Sequence, residues 1–333
     1  MPFIMHHNDD DGRCSAAIIY NELHFDSMKE SDFFEYAHGY ATPVIDYDAL
    51  PKNDIVYILD LALDPVIAAW IQRLHHYRPD IKIIHIDHHI SSQRYLESAQ
   101  DYERETMSHV KKFYRTGISA SLLCWTYCQM TEEMREDIEH VYDEFDYTDG
   151  YSHVGFNIGQ PNERDVRVPM IIRFINDWDV WNHELPGTRQ FHYGFSIVKD
   201  KGPTSKIWSS QFYEYNDYSL LENYVTPGAS IEAYMKSSYE HIMKHAFEFD
   251  LDGVKILCIN ATDKSSLIFG DKIKEYPAVC VYQYQGDHDL WNYSMYSDND
   301  TGIDVSKICT QYGGGGHPHA AGFQLKINLF AKK

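Results

Sequence analysis

No stretch of the 333-residue sequence approaches the ~20 uninterrupted apolar residues that a membrane-spanning helix requires, and no run of Lys and Arg occurs anywhere. The first absence excludes a helical membrane protein. The second goes with 29 Lys+Arg against 50 Asp+Glu, a formal net charge of −21. It argues against the basic surface that holds long nucleic acid through many phosphate contacts. Close CxxC pairs are also missing. The six cysteines (Cys14, Cys124, Cys128, Cys258, Cys280, Cys309) are scattered through apolar runs, which excludes a zinc ribbon or a disulfide scaffold and leaves them as reduced core residues. Cys124 and Cys128 lie one helical turn apart, so a thiol pair is weighed against simple burial, and burial is preferred. The opening residues run straight into acidic ones without a signal-peptide pattern, so a soluble, cytoplasmic protein is expected. Neither an internal repeat nor a low-complexity tail is present.

What the sequence does have is a 44% hydrophobic composition, enough for two ordinary domains. A strand, polar loop, helix unit recurs. Pro2 to Met5 is a short apolar segment ending in His and Asp, and Cys14–Tyr20 reads as the buried side of a helix. Ile55–Leu59 ends at Asp60 and is followed by a helix from Pro65 to His76, with Pro in its first turn. Ile81–Ile86 ends at Asp87-His88-His89. Three near-continuous apolar strands alternating with helices predict an α/β fold with a parallel sheet covered on both faces, where ligands gather at the carboxyl ends of the strands.

Helices are expected at Ser119–Met130 and Glu132–Phe145, a loop at Gly155–Arg164, and a strand at Met170–Ile175 leading into Asn176-Asp177-Trp178-Asp179. The region from Gly187 to Tyr224 matches no pattern. Pro227 opens a helix of about five turns, expected to link two domains. Beyond it, Val254–Ile259, Ala278–Tyr282 and Trp291–Tyr296 read as strands and Ile303–Tyr312 as a short helix, stopped by Gly313-Gly314-Gly315-Gly316-His317.

Carboxylates and imidazoles converging at the ends of adjacent parallel strands are what a pair of hard-to-borderline divalent cations needs, because these take mixed oxygen and nitrogen ligands. An Asp-rich loop alone is more often a turn, and a lone His pair more often packing. The inference rests on three such clusters at equivalent strand ends.

In order, His7-Asn-Asp9-Asp-Asp11-Gly12, Asp60, Asp87-His88-His89 and Asp177, followed by the Gly-rich run with Ala320-Ala321-Gly322, resemble the motifs of the DHH phosphoesterase family and of its associated C-terminal domain. The resemblance covers nearly the whole chain. It implies a parallel-sheet catalytic domain (residues 1–225), a linker helix (226–248) and a smaller α/β substrate-binding domain (249–333). It also implies two divalent metals, most readily Mn²⁺, with Mg²⁺ or Co²⁺ admitted by the ligands. His7 and Asp9 would hold one metal, Asp11, His88 and Asp177 the other, and Asp60 both. Asp87 would orient a ligand, His89 would contact the scissile phosphate, and Asp87, His88 and His89 together form the catalytic motif. A hydroxide between the metals would attack phosphorus in line. Gly314, Gly315, Gly316 and His317 would grip the substrate through backbone N–H groups and an imidazole, against the alternative of a plain linker.

Two choices are open from the residues alone. His6 competes with His7, and Asp179 competes with Asp177, which is preferred because it directly follows the expected strand. Tyr296 stands where many members of the resembled family carry an arginine. The expected substrate is a short oligoribonucleotide or dinucleotide cleaved to mononucleotides, with a cyclic dinucleotide as the alternative and a non-catalytic nucleotide-binding module as a third reading. A homodimer is admitted as an assembly.

Overall fold

The computed structural model describes residues 2–23, 28–37, 42, 54–136, 146–148, 151–153, 165–213, 217–263, 265–298, 300 and 302–331. It divides into two units, Met1–Ile231 and Glu232–Lys333.

The first unit is built on five strands: β1 (Phe3–His7), β2 (Phe33–Tyr36), β3 (Ile55–Leu59), β4 (Lys82–Asp87) and β5 (Val110–Tyr114). Their order across the sheet is 2-1-3-4-5 and every pairing is parallel. The helices are α1 (Asp10–Glu22), α2 (Pro65–Tyr77), α3 (Ile90–Ser98), α4 (Asp101–Ser108), α5 (Ala120–Gln129), α6 (Glu132–Glu136), α7 (Met170–Asp179), α8 (Thr188–Ser196), α9 (Lys206–Tyr213) and α10 (Asp217–Leu220). A small antiparallel sheet of β6 (Asp146–Thr148), β7 (Tyr151–His153) and β8 (Asp165–Arg167) lies between α6 and α7 in sequence. Of the expected helix at Glu132–Phe145, residues 137–145 lie outside the described residues, as does the loop Gly155–Arg164.

Alternation along the strands feeds two cores. Ile4, Tyr57 and Ile84 pack on one face with Cys14 and Ile18 of α1, Leu122 of α5 and Ile171 and Ile175 of α7. Met5, Ile58 and Ile83 pack on the other with Ile67, Trp70, Ile71 and Leu74 of α2. Successive side chains of a strand point to opposite faces, so a strand apolar at both parities must be covered twice. Core hydrophobics in both clusters are essentially inaccessible.

Met170–Ile175 is helical rather than extended, which corrects the strand expected there. The exposure pattern gives the reason: Ile171, Ile172, Phe174 and Ile175 are buried while Met170 and Arg173 are only partly so. That spacing fits a 3.6-residue period. The region from Gly187 to Tyr224, unassigned from sequence, supplies α8, α9, α10 and a π-helical turn at Leu221–Val225.

The second unit is a six-stranded mixed sheet of β9 (Phe247–Leu251), β10 (Val254–Asn260), β11 (Ala278–Gln285), β12 (Leu290–Tyr296), β13 (Gly315–His317) and β14 (Ala320–Leu325), ordered 13-14-12-11-10-9. Only β10 and β11 run parallel. The helices are α11 (Thr226–Ile242), inside which the division of the chain falls, and α12 (Val305–Gln311). Cys258, Cys280 and Cys309 are buried in its core. None of the six cysteines is paired in a disulfide; five are buried and Cys128 is partly so. No helix among the described residues is long and apolar enough to cross a membrane.

Close approach fixes one glycine beneath the site. A Cβ on Gly12, in the first turn of α1, would lie 2.4 Å from the His7 carbonyl oxygen. Gly12→Ala is therefore expected to force the helix off the end of β1 and to cost about 1–3 kcal/mol, read as a shifted midpoint in chemical denaturation with unchanged slope.

Candidate metal centre

In a parallel sheet ordered 2-1-3-4-5, the chain leaves β1 toward one side and returns to build β3 on the other. A crevice opens at the carboxyl ends where these two strands part. His7 closes β1 there, Asp9 caps α1 by accepting from Gly12 N at 2.9 Å, Asp60 follows β3, Asp87 closes β4, and His88 and His89 follow it. Asp11, in the first turn of α1, accepts from Ala120 N (2.7 Å) and Ser121 N (2.9 Å), the opening N–H groups of α5. These amides have no partner within their own helix, so a carboxylate there satisfies them and meets the positive end of the helix dipole.

Three overlapping groups result: His7, Asp9 and Asp60; Asp60, His88 and His89; and Asp11, His88 and Asp179. The potential ligand atoms of each group lie within 4.8 Å of one another. His88 Nε2 is 3.2 Å from Asp60 Oδ1 and 3.4 Å from Asp179 Oδ2. His7 Nδ1 is 2.6 Å from Asp9 Oδ2 and 3.7 Å from Asp60 Oδ2. Asp60 and His88 each belong to two groups, so the arrangement is one continuous cluster.

The electrostatics show which carboxylates are strained by this crowding. Asp60 is pushed well above the usual carboxylate range by burial and then by Asp9, Asp11, Asp179 and Asp87. Asp179 is raised well above it by burial and by Asp11 and Asp9, and Asp11 is raised chiefly by burial. Asp9 and Asp87 go the other way. Burial opposes their ionisation, but the hydrogen bond and charge of His7 outweigh it for Asp9, and the charge and hydrogen bond of His89 outweigh it for Asp87. Asp60 itself sits at φ +56°, in the left-handed region that Asp and Asn visit more readily than other non-glycine residues. Its N–H donates to Ile86 O at 3.0 Å.

These residues fit a divalent metal pair. Asp60 Oδ2 and Asp179 Oδ2 are both buried without a hydrogen-bond partner. Buried acceptors are normally satisfied, and a carboxylate oxygen left bare is costly unless a cation completes it. The donor set, carboxylate oxygen with imidazole nitrogen, suits hard-to-borderline divalent cations.

Around the cluster, His89 Nδ1 is 2.7 Å from Asp87 Oδ1, and Ser92 Oγ donates to Asp87 Oδ2. Leu63 N in turn donates to Ser92 Oγ at 2.7 Å. A carboxylate on one ring nitrogen fixes the tautomer and orientation of the imidazole. His85, also buried, joins Leu61 O through Nε2 (2.8 Å) and accepts from Tyr114 OH (2.6 Å), tying β4 to the residue after Asp60.

Of the residues expected from sequence, His7, Asp9, Asp11, Asp60, His88 and His89 come together. His6 does not. Its neighbour faces the site, while the His6 ring is buried, with Nδ1 2.8 Å from His7 O. Asp177 does not join them either, and Asp179 stands in the cluster instead. Both Asp177 oxygens are engaged elsewhere, accepting from Glu184 N (2.9 Å), Leu185 N (3.1 Å) and Thr188 Oγ1 (2.5 Å). The substitution follows from the helical state of Met170–Asp179. Residues two apart sit about 200° around a helix and on the same side of a strand. A further residue with no sequence signal is Lys201, which reaches Asp10 Oδ1 at 2.5 Å from a loop whose carbonyls accept from Trp208 Nε1.

A cavity of about 210 Å³ opens beside the cluster, its lining including Asp9, Asp11 and Asp179 together with Ile175, Trp178 and His192. His192 stacks on Trp178 with ring centroids 3.6 Å apart, and His183 lies over the same indole at 5.0 Å. Burial, with lesser contributions from nearby cations, lowers both imidazoles to about 4, so at neutral pH the stack is uncharged.

In the second unit the Gly-rich run is a tight hairpin rather than a linker. Gly313 ends α12 at φ +81°, with Gly313 N on Thr310 O and Gly314 N on Cys309 O, the paired bonds of a glycine helix stop. A Cβ on Gly314 would lie 2.0 Å from Gly322 O. Gly315 meets nothing within 4 Å and is exposed. Gly315–His317 pairs with β14 as the edge strand β13. Tyr296 is a neutral phenol, pushed up to about 12 by burial.

No family model matches the chain. A curated relative, uncharacterized protein R106 of Acanthamoeba polyphaga mimivirus, is 26% identical over 166 residues, which is 47% of this chain and 37% of that protein. The match thus spans well under half of the relative's length. Among solved structures, RecJ of Thermus thermophilus in complex with Mn²⁺ aligns with 97% of this chain and 49% of its own, at 10% identity and a TM-score of 0.44. A pGpG-specific phosphodiesterase, PggH, of Vibrio cholerae aligns over 98% and 92%, at 8% identity and a TM-score of 0.37.

Proposed function

We propose that this chain is a metal-dependent phosphoester hydrolase that cleaves a dinucleotide or short oligoribonucleotide to mononucleotides. The observation that carries this reading is the continuous strand-end cluster with two buried carboxylate oxygens that lack a hydrogen-bond partner, Asp60 Oδ2 and Asp179 Oδ2. His7, Asp9 and Asp60 would hold one cation, and Asp60, Asp11, His88 and Asp179 the second, Asp179 replacing the Asp177 expected from sequence. Bound there, such a pair supplies Lewis acidity, lowering the pKa of a water and neutralising phosphate charge.

The chain's own residues do the rest. Crowded carboxylates shape a site complementary to positive charge, so an anionic substrate enters only once that charge is balanced. Asp87 holds His89 through Nδ1, which leaves Nε2 as the nitrogen that turns toward a phosphoryl oxygen or a cation. The net charge of −21 disfavours a long polyanion and leaves a small substrate as the better fit. Within the second unit, the exposed glycine backbone at Gly315 and Gly316 and the imidazole of His317 are the groups offered for substrate binding.

The test is Mn²⁺-supplemented turnover against 5′-phosphorylated RNA dinucleotides, longer RNA, cyclic dinucleotides and pyrophosphate. Cleavage confined to short linear RNA supports the proposal, preference for a cyclic substrate moves the protein to signalling, and no turnover on any of them overturns it. Asp87→Asn is expected to lower turnover about 10- to 100-fold by releasing the His89 ring, and to lower the melting temperature at neutral pH, where a buried carboxylate held below its usual range contributes stability.

A further inference from the structure

Trp181 follows Asp179 by two residues and takes the left-handed position of the helix stop that ends α7, with Trp181 N on Trp178 O and Asn182 N on Asp177 O, a place where glycine is the usual residue. It is 39% exposed, and its backbone lies at φ +59°, a left-handed conformation that is strained for a bulky residue. His183, two residues on, is left-handed as well, at φ +54°. The turn is pinned from below. Asn182 N and His183 N donate to Asp177 O, and the Asp177 carboxylate accepts from Glu184 N, Leu185 N and Thr188 Oγ1.

What these bonds secure is the placement of one indole. Trp178, on the helix, is covered by near-parallel rings, His192 at 11° and His183 at 27°. Trp181 is not. It meets Trp178 edge-on at 63° and His183 at 53°, so no parallel ring covers it among the described residues. The structure therefore holds a chain of contacting rings, His192, Trp178, His183 and Trp181, that starts at the wall of the cavity beside Asp179 and ends in an indole open to solvent. An uncharged aromatic series with an uncovered last member suits one more flat ring.

We infer that Trp181 is the platform on which a nucleobase of the substrate stacks while the adjoining phosphate lies at the strand-end cluster. The inference deepens the nucleotide-hydrolase reading and rests on it for the placement of the phosphate. Stacking is indifferent to base identity, because every base presents a π-face, so Trp181 confers a requirement for a base without selecting which one. It acts on binding and leaves the reacting atoms alone.

The experiment measures equilibrium binding of two probes in the presence of Mn²⁺, a methylenephosphonate-linked diadenosine dinucleotide that cannot be hydrolysed and its abasic counterpart, to wild type, Trp181→Ala and Trp181→Phe. The expected result is that Trp181→Ala weakens the base-bearing probe by roughly 5- to 150-fold, leaves the abasic probe unchanged, and is largely rescued by Trp181→Phe. Unchanged affinity for the dinucleotide in Trp181→Ala overturns the inference. So does equal loss for both probes, which would mark a structural role. Trp181→Gly, which relieves the left-handed strain, is expected to melt at or above the wild-type temperature while binding like Trp181→Ala; a clear drop in melting temperature counts against the inference. Turnover of the natural dinucleotide is followed in parallel. Base-dependent binding without any turnover would retract the hydrolase reading and keep the stacking, whereas turnover with no preference for the base-bearing probe would do the reverse.

Discussion

Replacing Asp60 by Asn is expected to raise the melting temperature of the metal-free protein, to abolish its stabilisation by Mn²⁺ and to lower turnover by about 10³-fold or more. Asn keeps the shape of the side chain and tolerates the left-handed φ of +56° at this position. The change is thus one of charge. Asp60 is buried and crowded by Asp9, Asp11, Asp179 and Asp87, which together hold its ionisation well above the usual carboxylate range. An acid whose folded value is raised favours the folded state fully below its unfolded value of about 3.9, and that contribution is lost as pH rises through the folded value. Removing the carboxyl therefore stabilises the metal-free protein at neutral pH, by about 0.5–2 kcal/mol on the scale of relieved functional-site strain, and by nothing near pH 4. In wild type a cation offsets the crowding. Ligand at 100 times its Kd adds about 2.7 kcal/mol, and Asn at the residue shared by two ligand groups removes most of that increment. The loss of turnover follows from several kcal/mol of charge stabilisation at about 1.36 kcal/mol per tenfold. Thermal denaturation across pH 4 to 8, with and without Mn²⁺, checks the stability part, and a melting temperature that falls in the metal-free variant at pH 7 would contradict it.

Asp177→Ala and Asp179→Asn are expected to have opposite signatures, although the two residues are neighbours but one in the sequence. Asp177 holds the turn after α7 through three donors to its side chain, two of them backbone N–H groups. Each buried donor left without a partner costs about 1–3 kcal/mol, and the left-handed residues Trp181 and His183 lose their support at the same time. Asp177→Ala should thus destabilise the protein by about 3 kcal/mol or more, while the folded fraction still gains stability from Mn²⁺. Asp179 bears a buried oxygen that has no hydrogen-bond partner and lies 3.4 Å from His88 Nε2. Asp179→Asn should leave the fold intact or slightly more stable and suppress the Mn²⁺ increment. Chemical denaturation of both variants with and without the metal separates them. The reverse pattern would return the ligand role to Asp177.

That pair also marks where the sequence stopped being legible. The strand ends carrying His7, Asp60 and His88 could be read because each β-rich apolar run stops abruptly at polar residues. Their convergence needed only the inference of a parallel sheet. Met170–Ile175 looks like those runs, with isoleucines that favour strands, and it was the burial of Ile171, Ile172, Phe174 and Ile175 at helical spacing that decided its state. Once it is a helix, Asp177 and Asp179 face different ways. The edge strands β2 and β5 escaped for a related reason. Phe-Phe-Glu-Tyr and Val-Lys-Lys-Phe-Tyr carry the charges that sheet edges commonly bear, and such charges hide a strand from a search for apolar runs. The glycine-rich segment was legible as a special backbone, but its composition did not show that Gly313 and Gly314 serve a helix stop and a close strand contact while Gly315 does neither. Trp181 had no signal among 26 tyrosines and 6 tryptophans, since its role rests on exposure, φ and ring geometry.

The most direct measurement of the central claim is a calorimetric titration of metal-free protein with Mn²⁺, carried out on wild type, Asp60→Asn and Asp179→Asn. The expected result is saturation at two ions per chain in wild type, with both variants losing at least one. No saturable binding in wild type, or undiminished binding of both ions in the two variants, would contradict the assignment of the strand-end cluster as a metal centre and with it the hydrolase built on it.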